Sequence, residues 1–531
     1  MKKQTPLIDF GETAADNFRK TLSDRRMALM PDEERERKGS FFTPQIWAEK
    51  SQEYLAQTFG ENWQDEYYIW DCCCGTGNLL AGLVNPYNVW ASTIDQADID
   101  ILHTSIRNRK CNLLEPHVFP FDFLNGNFND LPEGLRNIID DTEKQKRLII
   151  YINPPYGECG RSKGKGESNK AGITKESKIY EELRKEIGKA ARELFAFFAA
   201  RIRRDIPAAK LGMFSKLKYL NSPNFVKFRK FFRAEFRKGF MVLASTFDNV
   251  TGQFPIGFLT WNLERSKSVP FFKCDVFDTR GLLTASKKFF PIDKRQLLND
   301  WIDTIPQTGQ SIGALSCKLS DFQNNQMVYI GNSKEQLPVG CKCFEITKDN
   351  LPAASVYLAV RHIIPHTWVN DRDQFLYPAD SYKKDKRFQN DCLIFTLFHS
   401  QNRIKSKDGI NHWIPFSAKE SKAKDNFHSS FMSDVIKKRG RFSKKATAVL
   451  EAGKALWAYY HETIRKLRTP PVDASLYEIR EYFKERNEQG RMNTKSADDK
   501  FNVLDKTLRD AVKALAKQIE PKVYEYGFLL Q

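Results

Sequence analysis

Residues 148–156, Leu-Ile-Ile-Tyr-Ile-Asn-Pro-Pro-Tyr, combine a strand with groups that can handle an amine. A β-branched apolar run of this kind predicts a buried parallel strand, ended at Asn153 by the two prolines that follow. Pro154 and Pro155 have fixed φ and no N–H, and each holds the residue before it in extended geometry. The product is a stiff lip at the carboxyl end of a strand, where open α/β sheets hold their ligands. The lip offers a side-chain amide oxygen, carbonyls that no neighbouring proline N–H can occupy, and an aromatic face. These suit a flat substrate with an exocyclic –NH₂: Asn153 and the Pro154 carbonyl would accept its two hydrogens while Tyr156 stacks on the ring. Ordinary strand-to-turn junctions also produce such a tetrapeptide, so the surrounding segments decide.

Upstream, Tyr67-Tyr68-Ile69-Trp70-Asp71-Cys72-Cys73-Cys74-Gly75-Thr76-Gly77-Asn78-Leu79-Leu80 reads as strand, glycine loop and helix. Gly75 and Gly77 let the backbone approach a ligand, and amides at the start of the helix suit a carboxylate. The loop lacks the third glycine of a dinucleotide fingerprint and the lysine of a P-loop. A second strand, Val89 to Ile94, ends at Asp95, where an acid roughly 20 residues past a glycine loop can take both ribose hydroxyls. A third strand near Val118 to Phe121 leads into Asp122-Phe123. Acids often end strands for turn chemistry alone, but their order and spacing favour a site. Ahead of the loop, Gly39-Ser40-Phe41-Phe42-Thr43-Pro44 precedes a helix from near Gln45 with Ile46, Trp47 and Leu55, a start with proline at its first position. Cys72 to Cys74 read as close-packed small residues, since a zinc site needs a second pair at metal spacing and Cys341 and Cys343 have no histidine nearby.

Asn153-Pro154-Pro155-Tyr156 resembles the catalytic motif of S-adenosylmethionine-dependent amino-methyltransferases, chiefly those that methylate adenine N6 in DNA. The Asp71 to Gly77 segment resembles their Asp-x-x-Cys-Gly-x-Gly, and Gly39 to Pro44 resembles the Gly-x-Phe-Tyr-Thr-Pro that precedes it in the γ order. The resemblance covers about residues 38 to 264, half the chain. It implies a Rossmann-like α/β methyltransferase sheet, S-adenosyl-L-methionine as cofactor and no metal. The implied catalytic residues are Asn153, Pro154, Pro155 and Tyr156. Tyr156 and Phe254, the latter in Gly252-Gln253-Phe254-Pro255, would stack on an extruded base. Thr43, Asp71, Cys74, Gly75, Gly77, Asp95, Asp122 and Phe123 would surround the cofactor. Thr43 would bond its carboxylate, Asp122 would accept from its adenine amino group, and Phe123 would lie near that ring.

Further along, Gly157 to Lys175 reads as a loop, 190–204 as a helix, Leu211 to Phe214 as a strand, Phe225 to Phe240 as a helix and Phe247 to Leu263 as the closing hairpin. Residues 270–420 mix short strands (Phe271 to Phe277, Met327 to Ile330, Cys343 to Ile346) with helices such as 350–363. Residues 431–531 read as helical, clearest at Ala446 to His461 and Ala497 to Ile519. The expected division is a helical extension over 1–38, the methyltransferase domain over 39–265, a mixed α/β target-recognition domain over 266–430 and a helical region over 431–531. A nuclease at the amino end is disfavoured, because some 38 residues cannot build its core.

The chain has 531 residues and ten cysteines without framework spacing; a reduced, cytoplasmic protein with no signal peptide and no membrane span is expected. Of the net +18, residues 1–156 contribute 17−24=−7 and the remainder 67−42=+25, as suits a polyanion lying across the latter. Lys437, Lys438, Arg439, Arg441, Lys444 and Lys445 form a basic run that can hold phosphates, while His362, His366, His399 and His412 lack metal spacing. The reading is a site-specific DNA adenine-N6 methyltransferase of bacterial or phage type that flips its base from double-stranded DNA, with a separate restriction endonuclease as a further partner. RNA adenine, a protein glutamine amide, or a DNA-binding modification subunit of a restriction-modification system are the alternatives.

Overall fold

The computed structural model describes residues 43–157, 178–247, 250, 252–293, 295–337, 339–467 and 471–531. The 1–38 extension, Gly39 to Phe42 and residues 158–175 of the expected loop lie outside them. The chain forms two compact units that divide after Asp293. The boundaries expected at 265/266 and 430/431 each fall inside a unit.

The first unit is built on a nine-stranded sheet with strands β1 (Tyr68–Asp71), β2 (Val89–Thr93), β3 (Val118–Pro120), β4 (Leu148–Ile152), β5 (Lys210–Lys216), β6 (Glu235–Leu243), β7 (Pro255–Asn262), β8 (Phe272–Phe277) and β9 (Leu283–Phe289), ordered β3-β2-β1-β4-β5-β7-β6-β8-β9. The first five run parallel, and β7 enters antiparallel between β5 and β6. All five residues of β4 are fully buried, which requires both sheet faces to be covered and explains the uninterrupted apolar run. On one face Ile69, Val89, Ala91, Ile149 and Tyr151 pack with Trp47 and Leu55 of α1 (Gln45–Phe59) and with Ile99 and Leu102 of α2 (Gln96–Arg107). On the other, Trp70 meets Phe123, which stacks on Phe198 of α3 (Leu194–Asp205) at 5.4 Å. This is a Rossmann-like α/β sheet whose winding reverses between β1 and β4.

Four local readings are corrected. Helical phenylalanine spacing continues past Arg233 on paper, but helix α4 (Val226–Phe232) ends there in a left-handed residue, φ +32°, and Glu235 onward is β6. The closing hairpin is therefore β6–β7, starting earlier than Phe247. The element after the glycine loop is one 3₁₀ turn, Asn78–Leu80. Ile46 of α1 is exposed while Trp47 and Leu55 are buried.

The second unit has a three-stranded antiparallel sheet, β10 (Ser311–Cys317) between β11 (Ile330–Gly331) and β12 (Lys342–Thr347). Its helices include α5 (Leu351–Ile363), α6 (Lys386–Phe398), α7 (Lys444–Ile464), α8 (Leu476–Lys484) and α9 (Asp499–Glu525). One core joins Trp301, Phe344 and Tyr357 to Trp457, Leu508 and Phe528, so residues on both sides of 430 fold together. The four histidines noted above each have a partner within the unit. His362 stacks on His399 at 4.8 Å and meets the Val328 carbonyl, His366 pairs with Asp371, and His412 bonds Ser429. Among the described residues, no helix is long and apolar enough to cross a membrane and no three His, Cys, Asp or Glu side chains gather as a metal site.

Candidate functional site at the carboxyl edge of the sheet

Parallel register brings the expected site residues to one edge. Asp71 is the last residue of β1, Asp95 and Asp122 follow β2 and β3 by two residues, Asn153 follows β4 by one, and Lys216 ends β5. Antiparallel β7 starts at that edge, with Ile256 opposite Lys216, so Phe254 lies beside the end of β5.

Asn153 is held at both ends of its amide. Its Nδ2 donates to Thr43 Oγ1 at 2.8 Å, and its Oδ1 accepts the Tyr156 hydroxyl at 2.6 Å. Thr43 and Tyr156 are buried, and burial pushes the Tyr156 phenol well up, so it remains a donor. Thr43 thereby fixes which way the amide faces, and accepting here does not consume its own O–H. Pro154 is buried and Pro155 half-buried beside it. Next along the chain, the Tyr156 carbonyl accepts Lys216 Nζ at 3.1 Å, and the Gly157 carbonyl accepts the Leu194 N–H at 3.1 Å.

The glycine loop turns at Gly75 and Gly77, with φ of +52° and +80°. Cys74 N–H reaches the Ser92 carbonyl at 2.9 Å and ties the loop to β2. Asp71 is 1% exposed and accepts the Cys73 N–H at 3.1 Å; burial pushes its carboxyl up to about 7 despite that bond. Burial likewise pushes the thiols of Cys72, Cys73 and Cys74 up, as suits packing rather than reactivity. Half-exposed Asp95 caps α2 by accepting Ala97 N–H at 3.0 Å. Asp122 accepts the N–H groups of Leu124 and Asn125 and the Asn125 side chain. Phe123 is buried, with the Arg201 guanidinium 5.3 Å over its ring.

Sequence reasoning did not single out Lys216, Glu193 and Lys218, which converge behind the lip. Glu193 is buried, with its Oε2 3.8 Å from Lys216 Nζ and its Oε1 bonded to Lys218 Nζ. Lys216 Nζ also lies 5.8 Å over the half-buried Phe254 ring. No motif marks a lysine at a strand end; only the pairing of β5 with β7 reveals it.

No protein-family model and no curated protein matches the chain. Solved structures do. The DrdV–DNA complex is 15% identical over 53% of this chain and 31% of its own, with a TM-score of 0.36. An ATP-dependent Type ISP restriction-modification enzyme, LlaBIII bound to DNA, is 13% identical over 66% and 28%, with a TM-score of 0.36. A type I restriction-modification system methyltransferase subunit from Streptococcus thermophilus is 12% identical over 48% and 50%, with a TM-score of 0.32. This chain thus matches less than a third of the length of the first two and half of the third. At such scores the likeness carries no functional weight, and function rests on the residues.

Proposed function

We propose that the chain is an S-adenosylmethionine-dependent methyltransferase acting on adenine N6 in DNA. The observation that carries this reading is an oriented Asn153 carboxamide, followed by two prolines, at the end of β4 beside the reversal of the sheet. The cofactor fits the neighbouring edge by the chemistry of the donor set. Asp95 and Asp122, with the buried Asp71, bring acidic groups to the ends of three adjacent strands, suited to a cationic amino acid head, to ribose hydroxyls and to the adenine amino group. When bound, S-adenosyl-L-methionine supplies an electrophilic sulfonium methyl.

The N6 lone pair of adenine is delocalised into the ring, which makes the amine a poor nucleophile. Asn153 Oδ1 and the Pro154 carbonyl accept its two hydrogens, draw the nitrogen toward sp³ geometry and free the lone pair for in-line attack. An amide oxygen has two lone pairs, so Oδ1 can hold Tyr156 and a substrate N–H together. Thr43, by binding Nδ2, keeps the oxygen turned to the amine. No strong base is needed before attack, and positioning carries most of the acceleration. Tyr156 and Phe254 flank the base, extruded from the duplex to the lip at the end of β4.

Transfer of labelled methyl to unmethylated genomic DNA, bulk RNA and bulk protein in parallel tests the substrate class. Label in DNA is expected. Label only in RNA or in protein glutamine would move the site to those substrates. Cofactor binding without label anywhere would favour a modification subunit that needs a partner.

A further inference from the structure

The carbonyls that follow the two prolines of the lip, those of Tyr156 and Gly157, are tied down from other elements. Lys216, with a side chain 14% exposed, reaches back from the end of β5 to the Tyr156 carbonyl at 3.1 Å. The same ammonium lies 5.8 Å over the Phe254 ring, within cation–π range, and 3.8 Å from the buried Glu193 carboxylate. Phe254 has a second contact: a Cβ on Gly252 would fall 2.2 Å from its ring, so the ring is folded onto that residue's bare backbone. One cation therefore joins the main chain of Tyr156 to the ring of Phe254, the two residues expected to flank a flat base.

We propose that Lys216 is a positioning residue that sets the spacing between Tyr156 and Phe254 and thereby the slot for the target ring. This rests on the function proposed above. Glu193 holds the ammonium in place and offsets its charge, so it does not oppose the positive charge that develops on the methylated nitrogen. Removing the ammonium while keeping the stem should widen the slot and leave the cofactor edge at β1 to β3 untouched.

The test compares Lys216→Met, Lys216→Arg and Gly252→Ala with the wild-type chain. The readouts are kcat for methyl transfer to genomic DNA, the Kd for S-adenosyl-L-methionine, and binding of deoxyadenosine monophosphate by saturation-transfer NMR. Lys216→Met is expected to lose at least about tenfold in kcat with cofactor Kd within about twofold, and Lys216→Arg to regain most of it. Gly252→Ala, which displaces the Phe254 ring with Lys216 intact, should reproduce the loss even if Lys216→Met fails to fold. A Lys216→Met kcat within twofold of wild type, a loss that tracks cofactor binding, or no recovery in Lys216→Arg overturns the proposal. If the wild-type chain methylates nothing, the proposed function falls, and the nucleotide decides separately. Deoxyadenosine monophosphate held by wild type and lost in Lys216→Met retains Lys216 as the spacer; equal binding by both, or binding by neither, overturns it.

Discussion

Asp71 is a carboxyl 1% exposed at the end of β1, and burial sets its titration. Its folded pKa, pushed up to about 7, lies above the unfolded carboxylate range near 4. Between those values the native chain binds a proton that the unfolded chain has released, so this residue's contribution to stability falls as pH rises and levels off above about 7. Asp71→Asn removes the charge and should remove that slope. Thermal unfolding from pH 4 to 8 is expected to show the variant gaining on wild type up to about pH 7 and running parallel above it; parallel curves throughout would contradict the burial argument. At this scale the sequence identifies types better than partners. Asn153 and its prolines are legible because their chemistry is local. The Thr43–Asn153 bond spans 110 residues of chain, and the Lys216–Phe254 contact depends on the pairing of β5 with β7. Neither leaves a local signal.

Elements hold these groups, and the glycine turn after β1 is one example. Gly77 sits at φ +80°, and a Cβ there would lie 2.9 Å from Leu102 Cδ2 on α2. Gly77→Ala should cost about 1–3 kcal/mol through backbone strain and contact. Denaturant unfolding measures that cost. Cofactor affinity should fall with it, whereas a neutral substitution would mean that the turn yields easily. The parallel strands were legible because buried strands are continuously apolar and end in recognisable turns. Strand β6 was not, since Phe225, Phe228, Phe232 and Phe236 keep helical spacing across the break at Arg233. Only the left-handed residue and the pairing with β7 separate helix from strand. The expected helix after the glycine loop reduces to the three residues Asn78–Leu80, and the N–H groups of Cys73, Cys74 and Gly77 are taken by Asp71 and by the Ser92 and Cys74 carbonyls.

Over the whole molecule, charge separates more sharply than composition suggests: −7 over residues 1–156 and +25 over the rest. If that surplus meets phosphates, binding to non-specific duplex should weaken by about 10³-fold between roughly 50 and 200 mM salt. Fluorescence anisotropy against salt measures the slope, and flat binding would remove the polyanion reading. Composition did not reveal the division after Asp293. Strands β8 and β9 extend the first unit's sheet beyond the motif-bearing segment, and shared packing, not sequence character, joins both sides of 430 into one core. The central claim is that Asn153 directs methyl transfer to the exocyclic amine of adenine. The most direct measurement is nucleoside mass spectrometry of unmethylated DNA treated with S-adenosyl-L-methionine and either the wild-type chain or Asn153→Ala. The expected result is N6-methyldeoxyadenosine with wild type and none with the variant, which still binds the cofactor. Methylation at another position, or N6-methyldeoxyadenosine formed equally by Asn153→Ala, would contradict it.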